Sequence, residues 1–249
     1  MNQRERKMQV EFVLQGKGGV GKSLIASLLA QHYMGHGEKP LAIDTDPVNQ
    51  TFTGYKAYGA EHLNIMDGDD INPRAFDQLI ERIFTHAEQG GQVALIDNGA
   101  STFVPLSSYI LQNGVVDLLA EAGHSVRIHT VITGAQALQD TMHGFVSLGR
   151  NIPNVPLVVW LNEYFGKISH NGKSFEESKA FKDHAGRVHA LITIPAVKPE
   201  TYGLDMEKML NRRMTFEEAI ASPDFSIMER QRLKMMARTL QAQMDRAQL

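Results

Sequence analysis

Gly16-Lys17-Gly18-Gly19-Val20-Gly21-Lys22-Ser23 constrains this chain more than any other stretch, because it satisfies the pattern G-x-x-x-x-G-K-[ST] without a gap. Before it, Met8 to Leu14 carries Val10, Phe12 and Leu14 in strand alternation. After it, Leu24, Ile25, Leu28, Leu29 and His32 recur at helical spacing. Strand, glycine loop and helix are the context in which the pattern has a physical meaning. Glycines allow consecutive backbone N–H groups to turn inward around phosphate oxygens, and the helix N-terminus adds the positive end of its dipole. Lys22 would reach the terminal phosphates and the Ser23 hydroxyl would bind Mg²⁺. A turn without a ligand needs neither lysine nor serine at these offsets, so Gly16 to Ser23 is expected to hold a nucleotide. Lys17 is a second lysine inside the loop, where another cation does nothing for folding. It is either a solvated surface residue or one that meets negative charge, on its own nucleotide or on one bound by a second subunit.

The rest of the chain fits an α/β domain. Its 249 residues are 43% hydrophobic and 21% charged, enough for a sizeable core without a second module. A net charge of −3 argues against a protein built mainly to coat nucleic acid. With no cysteine there is no disulfide, thiolate zinc site or iron–sulfur cluster. Residues 1–7 read as a basic, polar, flexible arm without an apolar signal core, and no run is long enough to span a membrane. A cytoplasmic location is therefore expected. The ten histidines show no ligand spacing and read as surface and loop imidazoles.

Strand and helix signals alternate from end to end, which predicts a mostly parallel sheet with helices on both faces. Strands are expected at Leu41–Ile43, Val93–Ile96, Val126–Ile132, Leu157–Leu161 and Val188–Ile194. Helices are expected from Asn72-Pro73, as N-cap and first helical residue, through the stripe Phe76, Leu79, Ile80, Ile83 and Phe84. Others span Pro105–Ala122, broken near Asn113-Gly114, and Ala135–Gly149. Asn171-Gly172 suits a hairpin turn. Ser174 with Glu177, and Thr215 with Glu218, have the capping-box form and are each expected to start a helix. A last helix is expected at about 226–248, closing a single domain over 8–249.

Nucleotide hydrolysis also needs metal ligands and a group that positions water, usually at the carboxyl ends of neighbouring strands. Val93-Ala94-Leu95-Ile96-Asp97 is an apolar strand ending in a carboxylate that would hold the Ser23-bound Mg²⁺ through a water. Leu41-Ala42-Ile43-Asp44-Thr45-Asp46-Pro47 ends in two more, with Asp46 a further group within the metal's reach. A lone strand-end Asp is commonly a turn residue. Two such strand ends after a phosphate loop favour the functional reading.

The string K-G-G-x-G-K-[ST] resembles the deviant loop of the ParA/MinD family of dimerising ATPases, which have a three-layer P-loop NTPase fold. Asp44-Thr45-Asp46-Pro47 with Asn49 resembles the family's D-x-D-P-x-x-N stretch. That resemblance implies that Asp46 helps position the attacking water, with Asp44 in support, and that Lys17 takes part in hydrolysis from across a two-fold interface. Val48 stands where relatives usually carry glutamine, and Asn98-Gly99 where they often carry prolines. Asn162, ending Val158-Val159-Trp160-Leu161-Asn162, resembles the residue that contacts adenine, and Ile194-Pro195 the segment closing over the base. Asn162 can equally be a strand-end turn residue. The absence of cysteine excludes the family's iron–sulfur branch.

A narrower resemblance, to the TraL group of conjugal-transfer proteins of self-transmissible plasmids, runs through almost the whole chain. It includes Ile96-Asp97-Asn98-Gly99-Ala100-Ser101, Gly172-Lys173-Ser174-Phe175-Glu176 and Arg230-Gln231-Arg232-Leu233-Lys234. It implies a plasmid-transfer role in a bacterial donor cell, and with the motifs above the leading reading is an ATP- and Mg²⁺-dependent homodimerising switch that recruits an unknown protein of the transfer machinery. One alternative is a partition-type ATPase that binds DNA non-specifically, with Arg230, Arg232, Lys234 and Arg238 as its patch, against which the acidic balance counts. Another is a nucleotide-binding module with negligible hydrolysis. The seam Leu233, Ala237, Leu240, Met244 and Ala247 of the last helix lacks bulky aromatics, so docking on the domain or a partner is favoured over a membrane surface.

Overall fold

The computed structural model describes residues 7–249, so the expected arm, apart from Lys7, lies outside the described residues. Seven strands form one parallel sheet: β1 (Gln9–Val13), β2 (Leu41–Asp44), β3 (Glu61–His62), β4 (Val93–Asp97), β5 (Ser125–Thr133), β6 (Leu157–Asn162) and β7 (Val188–Ile194). Their spatial order is β7-β6-β5-β1-β4-β2-β3, with every neighbouring pair parallel. Because β1 is central and both its neighbours come later in the chain, the loop leaving it opens at the middle of the sheet's carboxyl edge.

Strand alternation splits the core into two layers. Val10, Phe12, Ala94, Ile96 and Ile128 face one layer, covered by α2 (Ala75–Glu88), α3 (Phe103–Gln112), α4 (Val115–Glu121) and α5 (Leu138–Asn151). Val13, Leu95, Val131, Val158 and Trp160 face the other. That layer is covered by α1 (Lys22–Gly35), α7 (Leu204–Asn211), α8 (Phe216–Ala221) and α9 (Ile227–Arg246). The short α6 (Lys179–His184) packs on α5.

Local chemistry explains most boundaries. Asn113-Gly114 breaks the long apolar segment as expected, with Gly114 at φ 58°. Asn171 (φ 50°) and Gly172 (φ 76°) turn the small antiparallel hairpin Ser169–His170/Lys173–Ser174. Thr215 and Ser226 each sit in a complete capping box, starting α8 and α9. Helix α3 starts two residues early, at Phe103, and α5 starts at Leu138 after a 3-10 turn over Ala135–Ala137; two of the starts read from capping residues also differ. Asn72 accepts from the Arg74 N–H (3.0 Å) in a turn before α2, which begins at Ala75 rather than Pro73. Glu177 does accept from the Ser174 N–H (2.8 Å), but a turn follows. Helix α6 starts later, with Ser178 accepting from the Phe181 N–H (3.1 Å). Near the apolar stretch Leu63–Met66, Met66–Asp67 pairs with Asp70–Ile71 as a second small hairpin.

Helix α9 buries Leu233, Met236, Leu240 and Met244 against this domain's own second layer. Its end is held by three main-chain oxygens. Gln248 O accepts from Arg127 (2.9 Å), Leu249 O from His32 (3.0 Å) and Ala247 O from His189 (2.8 Å). Among the described residues no helix is long and apolar enough to cross a membrane.

Candidate functional site: a phosphate loop between three strand ends

The loop Gly16–Ser23 joins β1 to α1 and needs two glycine properties. Gly21 adopts φ 106° directly before α1, a conformation that L side chains rarely take. At Gly16, an added Cβ would lie 2.9 Å from the Phe103 ring at the start of α3. Gln15, which the sequence reading passed over, braces the loop from below. Its fully buried amide donates to Val131 O (2.9 Å) and Thr141 O (3.1 Å) and accepts from the Gly16 N–H (2.8 Å). Asn162 braces it from the side, donating to Val20 O (3.0 Å) while accepting from the Tyr164 N–H (3.2 Å).

A cleft of about 580 Å³ opens above the loop, bounded by Gly18, Gly19, Lys22, Ser23, Asp46 and Arg213. Arg213, a cation on the far wall, had no motif to announce it. Lys22 is buried, and its ammonium donates to Lys17 O (2.9 Å). Burial pushes it below its ordinary pKa, opposed by Asp97 and Asp46. Asn162 and Pro195 are not among the lining residues, and the Asn162 amide is committed to the loop.

The three carboxylates differ in how their oxygens are used. Asp44 is saturated: Oδ1 accepts from the Asp46 N–H (3.0 Å), and Oδ2 from Phe52 N–H (3.0 Å), Thr53 N–H (3.1 Å) and Thr53 Oγ1 (3.2 Å). It therefore shapes the loop after β2 and keeps no oxygen pointed at the cleft. Asp46 spends Oδ1 on the N–H groups of Val48 (2.9 Å) and Asn49 (3.0 Å) and lines the cleft. Gly99 leaves room for it, since a Cβ there would lie 2.8 Å from Asp46 Cγ and 3.0 Å from its Cα. Asn98 ties the two strand ends together. Its Oδ1 accepts from the hydroxyls of Thr45 (3.1 Å) and Thr102.

Asp97 is the exception. It is fully buried, and its Oδ1 has no hydrogen-bond partner. Burial pushes its carboxyl up to about 7, with Asp44 and Asp46 adding to the rise and Ser23 and Lys22 opposing it. A buried carboxylate oxygen without a donor is costly unless a cation meets it. The donor set, a carboxylate with the Ser23 hydroxyl, is all oxygen and suits Mg²⁺.

Lys17 lies elsewhere. Its ammonium is 2.8 Å from Asp140 Oδ2 on α5, and both side chains are substantially exposed. It borders a separate cavity with Gln15, Gly16 and His143, outside the nucleotide cleft.

Residues 12–246 match the family model described as CobQ/CobB/MinD/ParA nucleotide binding domain. The chain belongs to that family. Two Escherichia coli relatives, each named Protein TraL, are 55% and 53% identical over 240 residues, covering 96% of this chain and 98% of each relative. Among solved structures, the MinC:MinD cell division protein complex of Aquifex aeolicus matches with a TM-score of 0.53 at 14% identity, over 94% of this chain and 96% of that chain. The MinD cell division protein of the same organism gives 0.51, also at 14% identity, over 94% and 97%. At that identity the likeness speaks for the fold alone: the chain has a P-loop NTPase fold, and its family model is that of a nucleotide-binding domain.

Proposed function

We propose that this protein is a Mg²⁺-dependent ATPase switch that pairs with a second copy when ATP is bound and acts in plasmid conjugal transfer, in the cytoplasm. The place in transfer follows from its likeness to TraL. The observation that carries the switch is the position of Lys17, a loop lysine whose charge is not spent on its own cleft. Its pair with Asp140 is solvent-exposed and cheap to exchange for a stronger anion. In a two-fold dimer each Lys17 could reach the partner's phosphates, so that pairing depends on ATP.

Within one subunit, Gly18 to Ser23 bind the phosphates, Lys22 neutralises their charge, and Ser23 with Asp97 holds the ion, within reach of Asp46. ATP supplies the anhydride bond and Mg²⁺ offsets the charge on it. Asp46 orients the attacking water and Asp44 holds the loop that carries Asp46. Asn162 fixes the phosphate loop through Val20 O, and Pro195 is left for the base side. The transfer machinery supplies the partner protein. DNA is a weaker candidate, because Arg232 of the expected basic patch is ion-paired with Asp205.

The test is Lys17→Ala. It should bind ATP yet stay monomeric by light scattering with a slowly hydrolysed analogue and Mg²⁺, and should lose most of its phosphate release. Pairing equal to wild type would overturn the trans-lysine mechanism. Negligible phosphate release by the wild type, with and without DNA, would favour a module that only holds nucleotide. A second pair of variants separates water positioning from binding. Asp46→Ala, and Gly99→Ala through the clash that moves Asp46, should keep nucleotide affinity within about threefold, while hydrolysis falls about a hundredfold, the scale of a lost general-base contact. Normal turnover in both would make Asp46 a turn residue only.

A further inference from the structure

Helix α1 carries the phosphate loop at its first turn and an imidazole pair at its last. His32 and His36 are four residues apart and so share one helix face, contrary to the expectation that the histidines lack ligand spacing. Their rings stand 4.6 Å apart between centroids. Asp245, in the last turn of α9, completes a group in which one ligand atom from each of the three residues lies within 4.8 Å of the other two.

The hydrogen bonds on the far side of each ring decide what the near side offers. His32 Nε2 donates to Leu249 O (3.0 Å), and His36 Nδ1 donates to His32 O (2.9 Å). Main-chain oxygens accept only, so each ring holds its proton there and turns a lone pair toward Asp245. A histidine that is pinned by its other N–H to a carbonyl is the usual arrangement of a metal ligand. Asp245 Oδ1 lies 3.8 Å from His32 Nδ1 and 3.6 Å from His36 Nε2, too far for hydrogen bonds. Three acceptors facing one point repel each other unless something positive lies between them. The Gln241 amide N–H relieves two of them here, 2.7 Å from His32 Nδ1 and 3.0 Å from Asp245 Oδ1.

We infer that His32, His36 and Asp245 form a binding site for a zinc-class divalent transition-metal ion, which clamps the end of α9 to α1. Tetrahedral bonds near 2.0–2.1 Å place ligand atoms roughly 3.3 Å apart, so Asp245 Oδ1, 3.8 and 3.6 Å from the two rings, needs to close by about half an ångström on each, and the ring nitrogens, within 4.8 Å of one another, by at most about 1.5 Å. His32 is buried and fixed, whereas His36 and Asp245 are about half exposed and free to close. Rotating the Gln241 amide by half a turn replaces its N–H with an oxygen, which supplies a fourth ligand. Imidazole nitrogens select zinc, nickel, cobalt or copper over magnesium. Ser23 and His36 are separated by roughly 20 Å of helix, so this site is distinct from the Mg²⁺ position at Asp97. An open groove of about 800 Å³ between α1, α8 and α9 reaches Gln241 and Asp245 from solvent.

The test uses the untagged full chain, chelator-treated and free of nucleotide, titrated with Co²⁺ and then Zn²⁺. One equivalent of Co²⁺ should develop visible ligand-field bands that Zn²⁺ bleaches, and Zn²⁺ should raise the melting temperature. His36→Ala and Asp245→Asn, both at exposed positions, should each weaken Zn²⁺ binding at least about tenfold, the lower end of what even an indirect partner's loss costs. Both should also lose the Zn²⁺-dependent rise in melting temperature, while their metal-free melting stays near wild type and His170→Ala behaves as wild type. Absence of stoichiometric binding, or binding in His36→Ala and Asp245→Asn equal to wild type, would overturn the assignment.

Discussion

Lys22→Ala is expected to weaken nucleotide binding by at least about a hundredfold and to bring phosphate release to background. A charged group removed from a desolvated pair costs about 2–5 kcal/mol, and 1.4 kcal/mol is a factor of ten. Lys22 meets the condition for the upper part of that range, because it is buried within the loop rather than swinging in solvent. Its ammonium rests on Lys17 O, a weak partner that phosphate oxygens can displace. Removing it also leaves Asp97 and Asp46 facing the phosphates without the ammonium that opposes their charge. Titration with a fluorescent ATP analogue, run beside a phosphate-release assay, reads both effects. Unchanged affinity with unchanged turnover would remove the loop from the reaction.

The largest effect on stability is expected away from the cleft. Glu11, in the central strand β1, is fully buried between the sheet and α1. Arg127 Nη2 donates to Oε1 (2.6 Å) and His129 Nε2 to Oε2 (2.9 Å), and the Tyr33 hydroxyl also donates to Oε1. Trp160 Nε1 donates to His129 Nδ1 (3.0 Å), extending the network to β6. Burial pushes the Glu11 carboxyl up, but His129 and Arg127 more than offset it and hold the group down to about 2 from an ordinary 4.5.

A depressed carboxyl stabilises the fold fully above its unfolded value and loses that contribution as pH falls through its folded one. Glu11→Gln should therefore cost about 3 kcal/mol at neutral pH, in line with breaking a buried pair from one side. The gap between variant and wild type should narrow as pH falls from 4.5 towards 2. Urea unfolding midpoints at neutral pH and at two acid values would show this. Coincident midpoints at neutral pH would mean that the network contributes nothing net.

The legible part of the site was the part encoded by spacing. The phosphate loop, the strand-end carboxylates Asp44, Asp46 and Asp97, and the strand–helix alternation all depend on residues a few positions apart, where backbone geometry fixes the relation. The capping box at Thr215 belongs to the same class, and the one at Ser226, with Glu229 at the same spacing, went unread. Ser174 with Glu177 shows the limit: the side-chain bond forms, yet the backbone after it turns instead of winding, because one local bond does not nucleate a helix.

What the sequence determined by itself, then, is the fold class and the makeup of the candidate phosphate loop, since both follow from periodicity and from fixed offsets along the chain. Tertiary structure alone decided how the groups are used. It saturates Asp44 and leaves an oxygen of Asp97 without a partner. It turns Lys17 onto Asp140 and sets Gln15 beneath the loop. It carries Glu11 to Arg127, and Asp245 to His32 and His36, across more than a hundred residues of chain. The physical reason is that a polar side chain's partner is whichever group the packed layers deliver to it, and that delivery depends on strand order and helix docking, to which no spacing along the chain corresponds.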